Sequence, residues 1–209
     1  MYIKVKRLLD IILAIILLII FAIPMLIISI LIKLEDKGPV IYKSKRMGKG
    51  LKEFYTYKFR SMKTNRKELQ GNLSHDKMVT KVGKVIRKTS LDELPQLFNI
   101  LKGEMSFIGP RPWIPEYYVW FDENQKRRVD VLPGISGLAQ VKGRNGINIF
   151  KKIDYDLQYV DNISFKQDLK LVFETIKTVF SRDNAEISEM GIKAEIEELK
   201  ESREVSKVG

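Results

Sequence analysis

Residues 89–112 read TSLDELPQLFNILKGEMSFIGPRP. Two adjacent carboxylates, Asp92 and Glu93, stand in a frame of leucines, and Arg111 is set between Pro110 and Pro112. Ser90-Leu91-Asp92-Glu93 fits the capping-box pattern, in which both side chains satisfy free N–H groups at a helix start. With Ser90 as the cap, however, Pro95 would fall inside the helix, where its ring clashes. With Asp92 as the cap, Pro95 falls in the first turn, where no N–H is needed. Leu91, Leu94, Phe98 and Leu101 then form one apolar stripe. Either way the acids lie at a helix N-terminus, where negative charge is stabilised. An ionised, partly desolvated carboxylate near cations is a usable nucleophile or metal ligand.

The cations within reach of such a site are Lys58, Arg60, Arg87, Lys88 and Arg111. Prolines on both sides restrict Arg111 and bias it to an extended backbone. A rigidly mounted guanidinium beside two acids suits bidentate capture of a phosphate, and a proline-rich turn with an exposed arginine fits the same residues.

The chain has 209 residues, 37 Lys+Arg against 26 Asp+Glu, and a net charge of +11. Residues 33–88 hold 17 of the bases and 5 of the acids, so the positive balance lies in this block. Its place after an apolar N-terminus points to anionic headgroups or a phosphorylated substrate. No cysteine is present, which excludes disulfides and thiolate metal sites. The single histidine, His75, reads as a surface residue and cannot build a zinc site. Any metal would be held by carboxylates and phosphate oxygens, which points to Mg²⁺.

Residues 11–32 carry no charge and as a helix would reach about 33 Å, enough for a bilayer core. Pro24 falls inside this run, and bases flank both ends: Lys4, Lys6 and Arg7 before, Lys33, Lys37, Lys43, Lys45 and Arg46 after. A spanning helix normally has asymmetric flanks. A helix that breaks at Pro24 and returns to the same face satisfies both facts, and a bent span satisfies the first.

Residues 38–62 predict a β-hairpin turning at Gly48-Lys49-Gly50. Trp113, Tyr117, Trp120 and Phe121 approximate a helical face ahead of Lys126, Arg127 and Arg128, which suits a headgroup-level helix or a core helix. PGISGLAQVKGRNG is glycine-punctuated and could turn N–H groups toward an anion, but it lacks a P-loop context. Residues 155–160 and 168–180 read as amphipathic helices, with Asp154, Asp156, Asp161 and Asp168 on solvated faces. Beyond residue 186 the chain is charged and helix-prone, with little core pattern.

Taken in order, KRLLD, GPVIY, YKFRSM, the 89–112 block, PGISGLAQVKGRN and YVDNISFKQDLKLVFETIKTV resemble the bacterial sugar transferase family, the monotopic phosphoglycosyl transferases. The resemblance covers residues 3–180, and the short form looks closest to members that load N,N'-diacetylbacillosamine phosphate onto undecaprenyl phosphate. It implies an α+β, mostly helical fold: a re-entrant membrane helix (1–36), a catalytic domain with interfacial amphipathic helices and a short hairpin (37–184), and a charged tail (185–209). It implies that Asp92 attacks the β-phosphate of an N-acetylated UDP-sugar, expels UMP and holds a covalent phosphosugar, while Glu93 assists as base and Mg²⁺ sits at both carboxylates. Lys58, Arg87, Arg111 and Arg144 would contact phosphate or nucleotide, Asp156 would support the site, and Lys6, Arg7, Asp10 and Pro24 would serve the membrane segment. The implied partners are the UDP-sugar, undecaprenyl phosphate and membrane lipid, with downstream glycosyltransferases and no nucleic acid. The implied place is the cytoplasmic face of the bacterial inner membrane. Ile23, Ser136 and Lys142 stand where the family more often has Ser, Thr and Asn. Two other readings remain open on sequence: a membrane-anchored basic module for RNA or acidic lipids, and a membrane phosphohydrolase.

Overall fold

The computed structural model describes residues 2–64, 78–143, 147–180 and 189–208. The apolar run becomes one helix, α1 (Tyr2–Glu35). It is long and apolar enough to cross a membrane, and only 11% of its most apolar window is buried. The core helix of a water-soluble domain would hide that surface. Pro24 lies inside this helix, and the backbone stays helical through it. A proline removes one backbone bond, which a helix in an apolar setting tolerates by local adjustment. One turn on, Ser29 Oγ donates to the Met25 carbonyl at 2.7 Å, a back-bond that bends helices.

Both ends of α1 dock on the same domain. Ala14 packs with Phe54, Leu97, Ile100 and Met105, whereas Ile28 and Ile32 pack with Phe59 and Ile86. Between them Ile19 and Ile23 are each 71% exposed.

The hairpin forms as expected, from β1 (Ile41–Met47) and β2 (Glu53–Phe59), antiparallel with Tyr42 opposite Lys58 and Arg46 opposite Phe54. Its turn places Gly50 and Leu51 at φ 64° and 58°. The free edge of β2 is covered by Asn99, whose side chain accepts from Tyr57 N (3.1 Å) and donates to the Tyr55 carbonyl (2.7 Å). Asn99 thus stands in for a third strand and satisfies groups that would otherwise be buried unpaired.

Next come α2 (Lys81–Lys88), a 3₁₀ turn (Leu91–Glu93) and α3 (Gln96–Lys102). Two short strands, β3 (Ser106–Ile108) and β4 (Gly134–Ser136), pair in parallel. Between them the aromatic segment is a 3₁₀ helix (Pro115–Val119) followed by α4 (Glu123–Lys126). Tyr117, Tyr118 and Phe121 are buried with Val129, Ile149 and Ile153, so this segment is core. The helices α5 (Leu138–Gly143), α6 (Ile149–Asp161) and α7 (Phe165–Phe180) follow. Along α7, Phe165, Leu169, Phe173 and Ile176 form an exposed apolar stripe, while Asp168 and Leu171 face inward.

The last helix, α8 (Glu189–Val208), is no peripheral tail. Leu199 is 2% exposed within the aromatic core. Glu195 accepts from Tyr117 Oη at 2.5 Å and pairs with Lys152. Its apolar positions are sparse because the surface they complete is already rich in aromatics.

Candidate active site

The acid pair lies on the one-turn 3₁₀ segment between α2 and α3. Ser90 precedes it at φ 56°, a left-handed backbone that costs a non-glycine residue free energy, and makes no side-chain cap. The capping box is therefore not formed, and α3 starts at Gln96 after Pro95 rather than at the acids. That shift re-phases the helix: Leu97 and Ile100 are buried, whereas Phe98 turns outward. Asp92 itself is buried.

Lys58 reaches Glu93 from β2, Nζ to Oε1 at 2.5 Å, with both side chains largely shielded. Burial pushes the Glu93 carboxyl up, but Lys58 and Arg111 together outweigh it, and with a Gln96 hydrogen bond they hold it below the usual range. Glu93 is thus ionised at neutral pH. Arg87 lies one turn further along α2, with Nε on Ser61 Oγ at 2.8 Å. Arg60 is committed elsewhere, buried against Asp36 and Thr64.

Arg111 sits on a loop held from beneath. Arg128, 2% exposed, donates from Nη2 to the Arg111 carbonyl (2.7 Å), from Nε to Asp156 Oδ2 (3.0 Å) and from Nη1 to Tyr118 Oη (2.5 Å). Its guanidinium lies 3.9 Å from the centre of the Trp113 ring. Asp156 is therefore buried rather than on a solvated face. A fully buried carboxylate requires a paired cation, and Arg128 supplies it. Gly134 and Gly137 pack on the same loop: a Cβ on either would come within 2.1 Å of Gly109 backbone atoms.

The membrane-segment residues face the domain as well. Lys6 pairs with buried Asp168 at 2.7 Å, which also accepts from Tyr159 Oη. Arg7 donates to the Ile100 and Leu101 carbonyls (2.6 and 3.1 Å), capping the C-terminus of α3. Asp10 accepts from Phe107 N at 3.3 Å. Arg144 and His75 lie outside the described residues. Sequence reading missed Arg128, hidden in a run of bases that looks like surface, and Asn99, an amide in a mostly apolar helix.

The fold and site define a class: a domain held on an apolar helix, presenting an ionised Glu93 beside buried Asp92, among cations suited to phosphate groups. The comparisons agree with that class. The sequence profile of the bacterial sugar transferases matches residues 1–182, and the chain belongs to this family. It is 45% identical over 175 residues to the "Uncharacterized sugar transferase EpsL" of Bacillus subtilis, covering 83% of this chain and 86% of that protein. It is 43% identical to a UDP-N-acetylgalactosamine-undecaprenyl-phosphate N-acetylgalactosaminephosphotransferase of Aeromonas hydrophila, and 41% to an undecaprenyl-phosphate galactose phosphotransferase of Salmonella typhimurium. Each match covers 86% of this chain, which spans only 44% and 41% of those two proteins.

Proposed function

We propose that this chain moves a sugar 1-phosphate from a UDP-sugar to undecaprenyl phosphate, with release of UMP. The observation that carries this reading is the acid turn: two adjacent carboxylates, one of them gripped by Lys58 and influenced by Arg111. Two anionic substrates that must meet repel each other, and a cationic pocket offsets that repulsion.

In the first step an Asp92 carboxylate oxygen attacks the β-phosphorus, the bond from that phosphorus to the bridging oxygen breaks, and UMP leaves with that oxygen. In the second, a phosphate oxygen of the polyprenyl phosphate attacks the same phosphorus and the Asp92 carboxylate is released. Splitting the transfer lets the two substrates bind in turn. Glu93 is a poor base at its lowered pKa, and an acceptor phosphate with a second pKa near ~6 is already largely dianionic at neutral pH. We place Glu93 instead as the group that orients Lys58.

Among the described residues no three acids or histidines converge on a metal. Two adjacent carboxylates nonetheless suit Mg²⁺, which takes one or two carboxylates and completes its shell with phosphate oxygens and water. Asp92 and Glu93 would hold it, and it would neutralise the donor diphosphate.

The helix α1 is read as re-entrant, with the domain on the cytoplasmic face of the bacterial inner membrane. What supports this is the docking of both its ends on one domain around a bare middle, together with the exposed apolar stripe of α7. The lipid-linked product would pass to glycosyltransferases that extend it. Relatives are named for N-acetylgalactosamine, galactose and glucose, so donors from both classes belong in the test. N,N'-diacetylbacillosamine and other N-acetylated sugars come first. Purified protein with Mg²⁺, undecaprenyl phosphate and a UDP-sugar panel is expected to release UMP, dependent on the lipid and lost in Asp92→Asn. Release of UDP would mean ordinary glycosyl transfer and would refute the reading.

A further inference from the structure

The hairpin sets Arg46 on the face that carries Lys58. Residues directly opposite in an antiparallel ribbon share a face. The register pairs Tyr42 with Lys58, Ser44 with Thr56 and Arg46 with Phe54, so Arg46 and Lys58 share one face, two pairs apart. That is about 13 Å along the strands. The Lys58 end meets Glu93. At the other end, Met47 N donates to the Trp113 carbonyl at 2.9 Å, which ties β1 to the chain two residues beyond Arg111.

The Arg111 loop is therefore a neighbour of the strand end that carries Arg46. Arg111 lies near enough for its charge to oppose that of Arg46, adding to burial, and Tyr42 and Glu116 offset this in part. Arg46 is half-buried, and its guanidinium makes one long bond, 3.4 Å to the Lys45 carbonyl. Among the described residues neither Arg46 nor Arg111 forms an ion pair. Two neighbouring guanidinium groups repel each other unless an anion lies between them.

We propose that Arg46 and Arg111 form a clamp for the nucleotide-side phosphate of the donor, which makes Arg46 a donor-binding residue. This rests on the transfer reading above. With the β-phosphate facing Asp92, the α-phosphate lies on the far side of the bond that breaks, toward Arg111 and Arg46. When that bond breaks the leaving phosphate gains negative charge, and two planar guanidinium groups match its oxygens.

The test compares full-length Arg46→Ala and Arg46→Lys with the wild type in detergent, after thermal unfolding confirms the fold. UMP and uridine binding are measured, with KM for the UDP-sugar and for undecaprenyl phosphate. Arg46→Ala is expected to weaken UMP binding and raise the donor KM by about tenfold to a hundredfold. Uridine binding and the lipid KM should stay within about twofold, and Arg46→Lys should fall between. If Arg46→Ala does not fold, Arg46→Lys carries the test, and an unchanged donor KM in it overturns the clamp. UMP affinity unchanged in folded Arg46→Ala, or equal losses for UMP, uridine and lipid, also overturn it. A wild type that releases no UMP from any UDP-sugar refutes the transfer reading itself.

Discussion

Lys58 decides what Glu93 can do. Desolvation alone would drive this carboxyl up, and the ammonium at 2.5 Å is the main force against it. Because the folded pKa is depressed, the stability gained from ionised Glu93 is present above the ordinary glutamate value of about 4.3 and is lost as pH falls through the lower folded value. Lys58→Met removes that counterweight and leaves burial. The acid limb of the pH–rate profile should then move upward, toward neutrality, and an unmoved limb would show that Lys58 does not set the ionisation. Arg128 is a second such residue. Arg128→Met strands the Asp156 carboxylate in the core, and unfolding should show a loss of about 3–5 kcal/mol, whereas a double Arg128→Met, Asp156→Leu variant should recover much of it. If the single variant unfolds like the wild type, Asp156 is not held by this pair.

At the level of elements, α1 does more than hold the domain at a bilayer. Its last residues cap α2, with Glu35 accepting from Lys81 N (2.6 Å) and Val82 N (2.8 Å). Its first turns cap α3 through Arg7. The acid turn joins these two helices, so the membrane helix grips both of its arms. Glu35→Gln loses one acceptor and the charge, about 1 kcal/mol of capping. Faster amide exchange across residues 81–88 and slower turnover are expected, and unchanged exchange would contradict the grip. Much of this was legible beforehand: the hairpin, the apolar run and the amphipathic α7 follow from local pattern. The rest was not, for a common reason. Arg128, Asp156, Asp168 and α8 are buried by partners distant in sequence, and a charged residue looks the same in a chain whether its counterion is solvent or core.

For the whole molecule, the arrangement joins an exposed apolar helix and stripe, an acid turn, and a hairpin face that carries Lys58 and Arg46. In the proposed reaction a nucleotide donor and a lipid acceptor meet one carboxylate in succession. The central claim is that Asp92 carries the sugar phosphate between them. Intact-mass spectrometry of the protein mixed with Mg²⁺ and UDP-sugar, without lipid acceptor, tests it most directly. The account predicts a mass gain of one sugar phosphate, mapped to Asp92, absent in Asp92→Asn and discharged on adding undecaprenyl phosphate. UMP formation that needs both substrates at once, with the protein mass unchanged throughout, would contradict it.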